Sequence, residues 1–297
     1  MMTARSRLGF IGLGAMGRPM ALNLINAGYP MSVYARRPEA MAPLVAAGAR
    51  AFPTPAALAA ECDVVFTIVT ASADSEQVAL GAQGIIEGAR KGTVVVDMAT
   101  ISPLATRRIA QALEARDVEH LDAPVSGGPM GAQGATLAIM AGGKPQVFER
   151  IKPLFERLGK TILYMGEHGA GQVTKACNQL ALTVTAQGAA EALALARRCG
   201  LDPARVHEVL MGGFAASRVL ELFGRRMVER NFGPGIDTRF YHKDVAIALE
   251  LAQDAGLPLP AAAVVKQQLN ALMGAGDGAA DFSVLIRALE RASGAAT

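Results

Sequence analysis

The chain has 297 residues, 51% hydrophobic and 19% charged. That is enough apolar material for one large domain with a smaller companion, and it excludes disorder as the main state. Twenty-nine basic against 26 acidic residues leave a net charge of +3, and the arginines form scattered pairs rather than a run. Neither a nucleic-acid nor a membrane surface is implied. Cys62, Cys177 and Cys199 lack CxxC spacing, which argues against a disulfide scaffold or a zinc site and for a reducing, cytoplasmic compartment. The apolar stretch 8–20 is broken by Gly9, Gly12, Gly14, Gly17, Arg18 and Pro19, so it does not read as a signal peptide. No apolar run is long enough to span a bilayer. With 5% aromatics and no Trp, the core must be built from Ala, Leu, Val and Met.

In chain order, residues 8–11 read as a buried strand and 16–27 as a helix ending at Gly28. A strand follows at 31–35, a helix at 40–47 closed by Gly48, and a short strand near 49–52. Apolar, β-branched runs predict strands at 62–69 and 93–98, with further candidates at 119–123, 135–141 and 161–165. Strands separated by helical stretches imply right-handed crossovers and a parallel sheet. The pair 135–141 and 161–165 is hairpin-like and adds mixed pairing at one edge. After Gly166 the pattern changes. Residues 171–198 form one proline-free, Ala/Leu-rich stretch, apolar on nearly every side, which predicts a helix buried all round. Beyond Gly200 the chain reads all-α. Asp202-Pro203 supplies an N-cap and a first-turn proline. Helices follow at 217–230, 243–254 and 260–273, and Asp281 caps a last one.

Gly12-Leu13-Gly14-Ala15-Met16-Gly17 is GxGxxG, placed between a predicted strand and a predicted helix. Gly12 permits the tight turn, Gly14 lets a pyrophosphate approach the backbone, and Gly17 lets helix and strand pack closely. The helix N-terminus then faces the phosphates. The expected fold is therefore α/β: a Rossmann-type doubly wound sheet over 1–166, followed by an all-α domain over 167–297 joined by the long helix. A dinucleotide with a free ribose 2′-OH calls for Asp or Glu at the end of the second strand. This chain has Ala35-Arg36-Arg37, which would attract a 2′-phosphate, so NADP is the expected preference, with NAD use left open.

Asp122-Ala123-Pro124-Val125-Ser126-Gly127-Gly128 follows a strand, at the edge where doubly wound sheets bind ligands. The Ser126 hydroxyl and the Gly127 and Gly128 amides suit a small carboxylate. Lys175 and Asn178 lie three apart near the start of the long helix and share a face. Helix dipole and burial both disfavour an ammonium at position 175, which suits a lysine that gives and takes a proton. Lys243, at the expected start of a later helix, is a further candidate. His120, His168, His207 and His242 show no metal spacing, so no metal is expected. Cys177 reads as a buried thiol.

These motifs together resemble the β-hydroxyacid dehydrogenase family over nearly the whole chain. The matching segments are 9–17, Asp122 to Gly128, Gly171 to Asn178 and Lys243-Asp244, and Asn178-Gln179 is closest to the tartronate semialdehyde reductase subgroup. The resemblance implies Lys175 as the catalytic lysine, with Ser126, Gly127, Gly128 and Asn178 on the substrate. It implies cofactor contacts at Thr100 and Lys243, and at Val69 and Thr70, where the family often has Leu-Pro. The implied reaction is reversible hydride transfer between a nicotinamide and a small β-oxo acid or semialdehyde, in a homodimer or homotetramer. A 3-hydroxyisobutyrate or other β-hydroxyacid dehydrogenase is the alternative within the family. Imine reduction is disfavoured by the presence of Lys175, and a 6-phosphogluconate enzyme by the length of the helical part. A non-catalytic oligomeric binding protein on the same fold is the alternative of a different class.

Overall fold

The computed structural model describes residues 6–294. They pack as two compact units that divide between Lys175 and Ala176.

The first unit runs β1 (Leu8–Ile11), α1 (Gly17–Asn26), β2 (Met31–Tyr34), α2 (Ala42–Ala46), β3 (Arg50–Ala51), α3 (Pro55–Glu61), β4 (Val64–Thr67) and α4 (Ser72–Leu80). It continues with α5 (Ile85–Gly88), β5 (Val94–Asp97), α6 (Pro103–Glu114), β6 (Glu119–Asp122), β7 (Val125–Ser126), α7 (Gly128–Gln133), β8 (Leu137–Gly143), α8 (Pro145–Phe155), β9 (Gly159–Gly166) and the start of α9 (Ala170–Arg198). The sheet order is β3-β2-β1-β4-β5-β6-β8-β7, with β9 on β8, and the strands from β3 to β6 are all parallel. The order reverses between β1 and β4, and that reversal opens a crevice at their carboxyl ends.

Alternation explains why these strands read as continuous apolar runs. Leu8, Phe10, Val64, Phe66, Val94 and Val96 enter the core on one sheet face, whereas Ile11, Val65 and Val95 enter the core on the other. A sheet covered on both faces needs apolar side chains at every position. Phe10 and Phe66 stack with ring centroids 5.8 Å apart.

The expected hairpin-like edge is corrected. β8 pairs antiparallel with β6 and β7, but β9 runs parallel to β8. The helix α8 intervenes, and a parallel neighbour requires such a crossover where a tight turn cannot serve.

The second unit holds the remainder of α9, then α10 (Pro203–Met211), a π-helical turn (Leu220–Gly224), α11 (Arg225–Val228), α12 (Thr238–Asp254), α13 (Pro260–Gly274) and α14 (Leu285–Ala292). Asp202 caps α10 through the Ala204 N–H at 2.9 Å. Phe223, Tyr241 and Phe282 form the aromatic centre, with Tyr241 stacked on Phe282 at 4.0 Å and Phe223 edge-on to both. Buried Glu290 takes both terminal nitrogens of Arg230, at 2.7 and 2.9 Å.

Three expectations for the helical half change. The helix expected over 217–230 is interrupted by the π-helical turn. The helix carrying Lys243 starts at Thr238, so that lysine lies beyond its first turn. Finally, α9 is not buried all round: Val173, Cys177, Ala181, Thr185, Gly188 and Leu195 are exposed. Their spacing of mostly three or four residues marks one stripe along the helix. An Ala-rich sequence is nearly as apolar on its open side as on its covered one, so hydropathy does not distinguish the two faces.

Candidate active site

The glycine-rich turn separates two kinds of glycine. A side chain at Gly12, where φ is +95°, would strike the Ile68 backbone, and one at Gly17 would strike the Gly12 carbonyl. Internal packing demands both. Gly14 is exposed, and a Cβ there would meet nothing within 4 Å. The protein's own packing gives no reason for glycine at this position, whereas the close approach of an outside group does. No described side chain caps α1, so its first N–H groups and positive dipole end face the same space. This cradle fits a dinucleotide pyrophosphate. Leu13 is buried beneath it, Ala15 is exposed and Met16 is half-buried.

The segment after β4 lies against this turn. Ile68 donates its N–H to Ile11 O at 3.0 Å, which brings the following Val69 and Thr70 beside the cradle. Arg36 and Arg37 follow β2 and are exposed. Arg36 Nη1 lies 3.5 Å from half-buried Asp74 Oδ1 at the start of α4, but the arginine itself is 80% exposed, so the pair contributes little and leaves the guanidinium available to an anion.

The start of α9 is fastened to the carboxyl edge of the sheet. Asp122, the last residue of β6, accepts from Gly169 N at 2.8 Å and Gln172 N at 3.0 Å. The buried Gln172 side chain bonds Ile101 N and Ala99 O in the loop after β5, which carries Thr100. Lys175 follows one turn later and is 6% exposed. Thr100, Asp122, Gln172 and Lys175 thus gather at one edge of the first unit. Ser126 ends β7 and is half-buried, with Gly127 and Gly128 after it at φ +133° and +61°. The first of these values is open at little cost to glycine alone.

In the second unit, Asn178 Nδ2 donates to Gln179 Oε1 at 2.8 Å, and Gln179 Nε2 donates to Asp244 Oδ2 at 2.6 Å. Lys243 Nζ lies 2.8 Å from Asp244 Oδ1. A polar chain therefore links two expected site residues, Asn178 and Lys243, through Gln179 and Asp244. Gln179 and Asp244 fall within the motifs that carry the resemblance, but residue type and spacing give them no role of their own, nor one to the side chains of Asp97, Asp122 or Gln172. The available signal was a polar residue closing or interrupting an apolar run, where burial demands a partner. Cys177, expected to be buried, is exposed, because it falls on the open stripe of α9. Among the described residues, no group of three or more His, Cys, Asp or Glu could hold a metal ion.

Asp97 ends β5 directly opposite Asp122 on β6. Burial pushes its carboxyl up to about 6, against hydrogen bonds from Ala99 N and Thr67 Oγ1 and with the Asp122 charge adding to the rise. Burial likewise raises Asp122, opposed by the Gly169 and Gln172 amides. The folded state therefore holds the Asp97 proton longer than the unfolded chain, whose carboxyl titrates near ~4. Native stability falls as pH rises between these two values, by roughly 3 kcal/mol in all. Asp97→Asn removes this loss. Its melting temperature relative to the parent is expected to climb by several degrees from pH ~4 to ~7. A constant difference across that range contradicts the assignment.

Two family models match the chain. Residues 7–166 match the NAD binding domain of 6-phosphogluconate dehydrogenase. Residues 169–289 match a model described as NAD-binding of NADP-dependent 3-hydroxyisobutyrate dehydrogenase. The chain is 42% identical over 284 residues to 2-hydroxy-3-oxopropionate reductase of Escherichia coli (strain K12), covering 96% of this chain and 97% of that one. It is 35% identical to 3-hydroxyisobutyrate dehydrogenase of Pseudomonas aeruginosa, covering 93% and 96%. The crystal structure of 3-hydroxyisobutyrate dehydrogenase from Salmonella typhimurium matches with a TM-score of 0.88 at 30% identity, covering 95% of this chain and 99% of that one.

Proposed function

The chain belongs to the β-hydroxyacid dehydrogenase family of NAD(P)-dependent oxidoreductases, and from that premise we propose that it reversibly reduces a small β-oxo acid or semialdehyde, of the tartronate semialdehyde type, to the hydroxy acid. The observation that carries this reading is Lys175: a buried lysine one turn beyond a helix start locked to the carboxyl edge of the sheet. The 42% identity to 2-hydroxy-3-oxopropionate reductase supports the choice of substrate.

When bound, the nicotinamide dinucleotide supplies the hydride for reduction and takes it up in oxidation. The protein orients the substrate and moves the proton. The Ser126 hydroxyl and the Gly127 and Gly128 amides hold the substrate carboxylate. In reduction, the Lys175 ammonium gives a proton to the former carbonyl oxygen as it becomes a hydroxyl. In oxidation, the neutral amine takes the proton back. Asn178, on the same helix, orients that oxygen. Thr100 and Lys243 serve the cofactor, as does the wall formed by Val69 and Thr70. Gly12 to Gly17 cradle the pyrophosphate.

The deciding experiment is a panel of C3–C5 hydroxy acids and semialdehydes assayed with NADPH and NADH. Tartronate semialdehyde with NADPH is expected to give the highest kcat/KM. Turnover confined to 3-hydroxyisobutyrate transfers the chain to that subgroup, in line with its 35% relative. No turnover of any member removes the reading.

Arg36 and Arg37 carry the proposed NADP preference. Replacing both with Ala is expected to lower kcat/KM for NADPH about 10- to 100-fold, the loss of one or two charge-assisted contacts, and to leave NADH nearly unchanged. Equal losses with both cofactors remove the arginines from 2′-phosphate binding.

We further take the helical half, from 167 onward, as a surface for self-association. Helix α10 buries no residue, and Leu195, Leu201, Val209 and Phe214 are exposed. An amphipathic helix this short gains stability only by covering its apolar face. A second copy gives that cover in a homodimer or homotetramer. Sedimentation at micromolar concentration showing only monomer contradicts this. Cytoplasmic residence and the lack of a nucleic-acid or membrane partner remain part of the proposal. Among the described residues no helix is long and apolar enough to cross a membrane.

A further inference from the structure

We propose that Gln172 is a positioning residue of the reaction: its carboxamide clasps the backbone on either side of Thr100 and so fixes Lys175 against the loop that follows β5. The inference rests on the reading of Lys175 as the proton donor.

Gln172 is 1% exposed. Its Oε1 accepts from Ile101 N at 3.1 Å, and its Nε2 donates to Ala99 O at 2.8 Å. One side chain thus satisfies a backbone donor and a backbone acceptor, as a neighbouring strand would. The backbone N–H of the same residue is held by Asp122 Oδ2 at 3.0 Å. The first turn of α9 is therefore tied to the β5 loop through a side chain and to the end of β6 through the main chain. It can neither rotate nor slide without breaking buried hydrogen bonds. Two glycines press the contact closer. A side chain on Gly171 would strike the Met140 carbonyl, and one on Gly142 would come within 2.7 Å of Asp122 Oδ1 and 2.9 Å of Gly171 N.

The loop on the other side is equally held. Met98 N donates to Thr67 O at 2.7 Å, Ala99 N to Asp97 Oδ1 at 3.0 Å, and Ser102 N to Ser72 Oγ at 3.1 Å. Gln172 joins this fixed loop to the helix. Lys175 stands three residues further on, on the same face, so the rotational phase that Gln172 sets is the phase at which the lysine leaves the helix. The chemistry of the clasp requires an amide. A carboxylate would set an acceptor against the Ala99 carbonyl, and an aliphatic chain would leave a buried donor and acceptor unpaired. Proton transfer is sensitive to such placement, since a shift of about 1 Å costs roughly 10²-fold.

The test uses the intact enzyme with tartronate semialdehyde and NADPH. Gln172→Met keeps the chain length and removes both hydrogen bonds. It is expected to lower kcat about 10- to 100-fold, with KM and dinucleotide Kd within about threefold of the parent. Gln172→Glu regains a donor only when protonated. Its kcat divided by that of the parent is therefore expected to rise from mildly alkaline to mildly acidic pH, a ratio in which the titration of Asp97 and Asp122, common to both proteins, cancels. Adding Gln172→Met to Lys175→Met is expected to cause no further loss, because the glutamine acts through the lysine. Parental kcat in Gln172→Met, or a multiplied loss in the double variant, overturns the inference. Should Gln172→Met fail to fold, a pH-independent ratio for Gln172→Glu overturns it. Full activity of Lys175→Met overturns the proton-donor reading instead, whatever Gln172 does.

Discussion

Lys175→Met is expected to lower kcat by about 10²–10⁴-fold while dinucleotide affinity stays within a few-fold of the parent. The methionine keeps most of the buried aliphatic stem, so the packing around this 6%-exposed side chain is largely retained and the lost group is the amine. The loss should appear in kcat and kcat/KM alike, because the proton moves only as the carbonyl oxygen becomes a hydroxyl. Small primary amines added to the assay are expected to restore part of the rate. A kcat within threefold of the parent across the pH range removes Lys175 from the chemistry. The substrate and cofactor assignments would then need another proton donor.

Gly14→Val is expected to leave the melting temperature nearly unchanged and to weaken dinucleotide binding about 10²-fold, or ~2.8 kcal/mol. The position is exposed, and a Cβ there touches nothing within 4 Å, so a side chain at this position leaves the backbone into open space. A pyrophosphate lying against that backbone does not. Gly12→Ala and Gly17→Ala provide the contrast. Each would drive a Cβ into backbone, and both are expected to lose stability before any effect on binding can be read. Titration of NADPH by fluorescence, with melting curves for all three variants, separates the cases. Undiminished binding by Gly14→Val contradicts the cradle.

Much of the first unit is legible locally. The strands are short apolar runs, and their alternation between two cores follows from burial on both faces. Gly28 and Gly48 mark helix ends with φ of +88° and +97°. The glycine-rich turn is read from six consecutive residues. Other features depend on partners far apart in the chain. Asp122 meets the start of α9 across 47 to 50 residues, and Gln172 meets the β5 loop across more than 70. Nothing in the neighbourhood of either residue announces its partner. The parallel pairing of β9 with β8 escaped for the same reason, since two strands look alike whichever way they run.

The sequence alone determined the α/β order, the phosphate-binding turn, the basic end of the second strand and the candidate lysine. Each depends on periodicity, backbone permissiveness or residue type over a few adjacent positions. Tertiary structure decided which side of α9 stays open, and it brought Gln172 and Asp122 to the carboxyl edge that carries Lys175. Those outcomes arise from hydrogen bonds and contacts between distant segments. Burial makes such bonds compulsory, but only the closed fold selects their partners.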